Sequence, residues 1–170
     1  MVNIRFGVQK DASELTALCR ETFYCKWQSN NTEEDLTCYM NEFFNIEKIE
    51  KELTDPTINY LLAFYHAQLI GYIKLNRNSA EGDLENLKPI EIQRMYVLEQ
   101  FIGNGIGREM MNCALEFAVK EKFEVIWLGA WEKNSGALKF YKRFGFDVYG
   151  EHQFILGADV TTDLLLKKIL

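Results

Sequence analysis

The segment Glu91-Ile92-Gln93-Arg94-Met95-Tyr96-Val97 and the cluster Gly103-Asn104-Gly105-Ile106-Gly107-Arg108 decide how this chain folds. The first is apolar-rich and reads as a strand. The second reads as a turn, because glycines alternating over so short a stretch suit backbone with positive φ or a close approach to a ligand. Ile106, Met110, Cys113 and Phe117 then recur at helical spacing and share one face. Strand, glycine turn and helix together aim main-chain N–H groups at an anion. Further on, Val125 to Trp131 reads as another strand, and Asn134 opens a short helix carrying Phe140 and Tyr141. A phosphate cradle beside a phenol points to group transfer from a phosphate-bearing carrier.

Outside this unit, Ile4 to Gly7 reads as a first strand. Asp11 is placed to cap a helix reaching about Lys26. Thr32 and Asp35 form a capping-box pattern for a helix over Glu33 to Phe43, and Ile46 to Leu53 continues as a separate helix. Asn59 to Tyr65 and Gln68 to Asn76 form a hairpin turning at His66-Ala67, and Arg77 to Leu87, polar with one glycine, is a loop or an irregular excursion. Gly145 ends the last helix as a C′ glycine. Phe146 to Leu156 and Asp163 to Ile169 close the chain as strands around a loop from Gly157 to Thr162. This order predicts an α/β protein with a mixed sheet, not a doubly wound parallel one.

At 170 residues the expectation is a single domain covering 1–170. The net charge of −6 argues against a nucleic-acid surface, which needs clustered Lys and Arg. It is compatible with a cationic substrate, and equally with ordinary solubility. No apolar run approaches the roughly 20 residues that span a bilayer, so no membrane partner is expected. Cys19, Cys25, Cys38 and Cys113 lack Cys-x-x-Cys spacing, and His66 and His152 are the only histidines, so no metal site is expected. With no secretory signal and unpaired thiols, a cytoplasmic location is expected.

Other phosphate motifs fail. A Walker loop needs Gly-Lys-Ser/Thr, whereas Gly107 is followed by Arg108-Glu109. The dinucleotide fingerprint lacks its third glycine, since Arg108 occupies that position, and the chain does not alternate strand with helix.

The strand, the Gly-x-Gly-x-Gly turn and the later Asn134…Phe140-Tyr141…Gly145-Phe146 resemble the GCN5-related N-acetyltransferase superfamily. The resemblance spans Ile4 to Ile169 in element order. Gly105 and Gly107 fill the usual glycine positions, while Ile102 stands where Gln or Arg is customary. Glu21-Thr22-Phe23, Glu91 to Val97, Trp127 to Asn134 and Thr162-Asp163-Leu164 further resemble the bacterial Pai-type spermidine/spermine acetyltransferases. The resemblance implies a mostly antiparallel central sheet, splayed at the cofactor site and flanked by helices. It implies acetyl-CoA as donor, a primary amine such as spermidine or spermine as acceptor, and direct attack in a ternary complex. A homodimer stays open.

On this reading, Gly103, Asn104, Gly105, Ile106, Gly107 and Arg108 hold the diphosphate. The resemblance assigns Met95, Tyr96 and Val97 to the pantetheine arm and acetyl carbonyl, and gives Asn134 a contact with the same arm. It makes Tyr141 the proton source for the departing thiolate; by pattern alone Tyr141 belongs to a helical core stripe with Ala137, Phe140 and Phe144. Glu91 is the candidate base, with a plain surface glutamate as its alternative, and Gln93 is placed to position water. Phe23, Trp27 and Trp131, with Tyr39 and Trp127, are candidates to surround an aliphatic amine, and Glu33, Glu34 and Asp35 to attract its distal charges. Three alternatives remain. One is a weakly catalytic acetyl-CoA-binding regulatory module. Another is an enzyme acting on a protein amine or other small amine. The last is a dinucleotide-binding protein.

Overall fold

Runs of β-branched and aromatic residues, broken by polar turns, form seven strands in a computed structural model that describes residues 2–170. They are β1 (Val2–Phe6), β2 (Ile58–Tyr65), β3 (Gln68–Asn76), β4 (Pro89–Val97), β5 (Val125–Trp131), β6 (Asp147–Leu156) and β7 (Asp159–Ile169). The helices are α1 (Ala12–Trp27), α2 (Glu33–Phe43), α3 (Ile46–Thr54), α4 (Ile106–Lys120) and α5 (Ser135–Arg143). The strands form one sheet in the order β1-β2-β3-β4-β5-β7-β6. Every pairing is antiparallel except β4 with β5, which α4 connects as a crossover.

The two sheet faces have different characters. Lys74 on β3 reaches Glu52 of α3, whereas a Cβ on neighbouring Gly71 would meet Met110 of α4. Successive strand residues point to opposite faces, so α3 covers one face and α4 the other. The core is built from Leu15, Cys19 and Phe23 of α1, Leu62, Ile70 and Ile73 of the central strands, and Met110, Met111 and Ala114 of α4, all essentially excluded from water. On α4, Ile106 and Met110 are buried as their spacing predicts, while Cys113 and Phe117 sit at the edge of that face.

Three local expectations are corrected. Asp11 does not cap α1 with its side chain; its carboxylate takes two bonds from Arg5, at 2.7 and 2.8 Å, and one from the Val8 N–H at 2.9 Å. A 3-10 turn over Gln9–Asp11 leads straight into α1, and the side chain is left to tie β1 to the helix start. The box at Thr32 is half formed: Thr32 accepts from the Asp35 N–H at 3.2 Å, but the Asp35 carboxylate accepts from the Thr32 hydroxyl instead of reaching back to backbone. The final loop is shorter than expected. Val160 and Thr161 pair with Ile155 and Phe154, so β7 begins at Asp159 and Gly157, at φ 58°, turns the hairpin. Among the described residues, no helix is long and apolar enough to cross a membrane.

Candidate active site

The site begins where the sheet opens. β4 pairs with β5 at only three positions, Pro89–Val125, Ile90–Ile126 and Glu91–Trp127, after which the two strands part. The Leu98 N–H donates to the Ile70 carbonyl at 2.8 Å, so the next pair, Val97 and Gly71, is of the non-hydrogen-bonded kind. The Val97 N–H therefore points away from β3 and into the gap, and Met95, two residues back, repeats this.

A bulge re-aims β4 at the same place. Leu75 faces Ile92 and Lys74 faces Arg94, which leaves Gln93 as the extra residue. Without it, Glu91 and Arg94 would point to opposite faces. With it, Glu91, Arg94 and Tyr96 stand opposite Asn76, Lys74 and Tyr72 and share one face.

The glycine turn lies at one mouth of the gap. Gly103 and Gly105 adopt φ of 88° and 82°, conformations that Cβ-bearing residues enter only with strain. From Gly103 to Arg108, six consecutive main-chain N–H groups find no protein acceptor among the described residues; hydrogen bonding resumes at Glu109, which donates to Gly105. Gly107 has ordinary helical backbone, and a Cβ there would make only van der Waals contact with Met95 and Phe140, at 3.6 and 3.8 Å. Neither fold nor packing requires glycine at that position. Arg108 is exposed and Ile102 is 67% exposed.

A cleft of about 570 Å³ occupies the gap. Glu91, Met95, Tyr96, Asn134, Tyr141, Phe23, Trp27 and Trp131 all line it, together with Gln93 and Tyr39; Val97 and the turn from Gly103 to Arg108 lie outside its lining. Asn134 caps α5 by accepting from the Ala137 N–H at 3.2 Å. A Schellman ending, Gly145 N–H to Lys142 and Phe146 N–H to Tyr141, fixes the other end of α5. Tyr141 is thus held rigidly, and burial, with a smaller effect from Tyr96, raises its hydroxyl well above the usual phenol range. Burial also raises the Glu91 carboxyl above 4.5, partly opposed by a hydrogen bond from Ser79. Phe23 stacks on Tyr39 at 4.5 Å, and Trp27 sits between Trp131 and Phe154 at 5.7 and 5.6 Å.

Two expectations fail here. Trp127 is 2% exposed, donates to the Ser79 carbonyl at 3.0 Å and packs away from the cleft. Glu33, Glu34 and Asp35 sit at the start of α2 and do not line the cleft. The sequence reading missed a polar set that does. Lys74 and Glu52 form a buried ion pair at 2.6 Å, and Tyr60 donates to the same carboxylate. Arg94 lies with its Cζ 4.5 Å from the centre of the Phe44 ring. His152 stands 3.0 Å from Glu81 and 3.8 Å from Asp163. The available signal was charge inside strands: Lys74 and Arg94 interrupt otherwise apolar runs. Among the described residues, no three metal-ligating side chains gather to hold an ion.

A gap-facing row of strand amides leading from a turn of unbonded amides fits an extended amide chain ending in a diphosphate. Comparisons with known proteins agree with this geometry. A family model described as the acetyltransferase (GNAT) family matches residues 17–146. A Lactobacillus delbrueckii subsp. lactis protein, described as an uncharacterized N-acetyltransferase in the pepI 3' region, is 33% identical over 95% of this chain and 94% of its own length. The spermine/spermidine N(1)-acetyltransferase of Bacillus subtilis is 26% identical over 54% of this chain and 60% of its own. A crystal structure of the PaiA N-acetyltransferase from Thermoplasma acidophilum, in complex with coenzyme A, superposes with a TM-score of 0.81, covering 100% of this chain and 99% of that one at 22% identity.

Proposed function

Because this chain belongs to the GNAT acetyltransferase family, we propose that residues 1–170 form one N-acetyltransferase domain that moves acetyl from acetyl-CoA to a primary amine. The observation that carries the reading is the run of six unbonded amides, Gly103 to Arg108, beside the open edge of β4.

Acetyl-CoA supplies an acetyl group already activated as a thioester. The amides of the turn and Arg108 hold its diphosphate, where a helix N-terminus favours negative charge. Met95, Tyr96 and Asn134 line the path of its extended arm. The Val97 N–H donates to the acetyl oxygen as negative charge develops there, an effect of about 3–4 kcal/mol when such a donor is preorganised. The acceptor amine, with a pKa of ~10, arrives protonated, and Glu91 takes that proton. Its raised pKa makes it a stronger base than an ordinary glutamate. As the C–N bond forms and the C–S bond breaks, Tyr141, protonated at neutral pH, donates to the departing sulfur and recovers the proton that the acylated nitrogen sheds. Phe23, Trp27 and Trp131 enclose the aliphatic part of the acceptor.

A polyamine acceptor draws support from the Bacillus subtilis relative and from the carboxylates of Glu91 and Asp163 in the cleft. The test is thiol release from acetyl-CoA with a panel of amines, spermidine and spermine included. Acetylated product with at least one primary amine is expected. Tight acetyl-CoA binding with no turnover on any amine would favour the regulatory module, and tighter binding of NAD than of acetyl-CoA would overturn the reading.

A further inference from the structure

Arg94 is out of place in a cleft built only for polycations. It is half-buried, it lines the cleft, and its Nη1 is shut off from solvent without a hydrogen-bond partner. No carboxylate pairs with it among the described residues. The nearest acid across the strands, Glu52, is committed to Lys74 and Tyr60. A guanidinium nitrogen shut off from water without an acceptor is costly, and the bulge at Gln93 is what turns it into the cleft. The lining as a whole carries Lys26, Lys48, Lys74 and Arg94 against Glu52, Glu91 and Asp163. Charge is also sorted: Glu91, His152 and Asp163 gather toward β5 and β7, while Arg94 and Lys74 face α2 and α3.

Resting on the acetyltransferase reading but replacing its polyamine acceptor, we infer that the acceptor amine also carries an anionic group, a carboxylate or a phosphate, which Arg94 binds. The amine end lies toward Glu91. With Gln93 bulged out, Glu91 and Arg94 stand opposite Asn76 and Lys74, two strand positions or roughly 7 Å apart, so amine and anion are separated by several bonds, as in the ε-amine and carboxylate of lysine, and not adjacent as in an α-amino acid's own pair. A planar guanidinium with free N–H groups suits two-point binding of such an anion.

Matched pairs test this. L-lysine is compared with cadaverine, and 3-aminopropyl phosphate with 3-aminopropanol, by calorimetric binding to the CoA-saturated protein and by thiol release from acetyl-CoA. The anionic member of at least one pair is expected to bind at least 10-fold more tightly, with the difference appearing in KM; which pair shows it distinguishes carboxylate from phosphate. In R94Q that ratio collapses toward one, and R94K retains part of it. R94Q is expected to melt close to the wild-type temperature, since the charge it removes rests on the Phe44 ring but has no anionic partner; a purely structural Arg94 would give a markedly lower Tm. Equal or tighter binding of cadaverine and spermidine, or a ratio that survives R94Q, overturns the inference while leaving acetyl transfer intact. An Arg94-dependent preference for succinyl-CoA over acetyl-CoA would place the anion on the donor and overturn it too. Arg94-dependent binding of lysine with no thiol release from any amine would sink the acetyltransferase reading, and the acceptor inference with it.

Discussion

Gly107→Ala separates what the fold needs from what the ligand needs. Gly107 is the second residue of α4, has no positive φ, and a Cβ there meets its nearest neighbours at 3.6 and 3.8 Å. Alanine therefore fits without strain. It also removes backbone freedom from the unfolded chain and improves helix propensity, together worth up to about 1 kcal/mol. In a protein of this size that raises Tm by ~2–4 °C. Ligand binding should move the other way. The diphosphate must approach the amides to about 2.9 Å, and a methyl group in its path prevents one charge-assisted bond. At about 1.5–3 kcal/mol, its loss weakens acetyl-CoA affinity by ~10-fold to ~100-fold. Thermal melting and titration calorimetry on the same preparation read both effects. A variant that melts higher and binds acetyl-CoA as well as the wild type would refute the assignment of this turn to the diphosphate.

Tyr141→Phe is expected to lower kcat by about 100-fold or more with acetyl-CoA affinity unchanged; an unaltered kcat would point to a sensor instead of an enzyme. Glu91→Gln is expected to lower kcat/KM and to remove an acidic limb lying above pH 4.5. Its stability effect has a defined sign: burial raises the folded-state carboxyl above 4.5, so this group favours folding below that pH and loses its contribution as pH rises through the raised value. E91Q should accordingly raise Tm at neutral pH and lose that advantage below pH 4.5, and a Tm lowered at neutral pH would contradict the burial argument. Asp11→Asn should destabilise by about 1–2 kcal/mol in urea titrations at neutral pH, because Arg5 and the Val8 N–H lose a charged acceptor. Arg5 lowers the Asp11 carboxyl below 3.8, so the wild-type advantage is present above that value and fades as acid carries the pH through the lowered one; a pH-independent difference would refute this.

The strand, glycine turn and helix were legible because they are local: apolar periodicity and positive-φ glycines leave direct marks on the sequence. So were the hairpin at His66-Ala67 and the C′ role of Gly145. Asp11 was misread because a capping residue and a salt-bridge partner look alike until β1 is placed beside α1. The loop before β7 was overestimated because Val160 and Thr161 declare themselves as strand only once β6 is their partner. Least legible was the polar interior of the cleft. The bulge at Gln93 has no sequence mark of its own, yet it decides that Arg94 shares a face with Glu91. The Lys74–Glu52 pair joins positions brought together only by packing α3 on the sheet. Trp127 and Trp131, four residues apart on one strand, parted company because β5 is paired with β4 at the first and open at the second.

The central claim is that the amides from Gly103 to Arg108 hold a diphosphate and that the gap beside β4 holds the arm leading to the reacting carbonyl. A crystal structure with acetyl-CoA tests it most directly. Diphosphate oxygens are expected within about 2.7–3.2 Å of those amide nitrogens, with the acetyl oxygen facing the Val97 N–H and the sulfur beside the Tyr141 hydroxyl. A carrier seated elsewhere, with the turn's amides left to solvent, would contradict it.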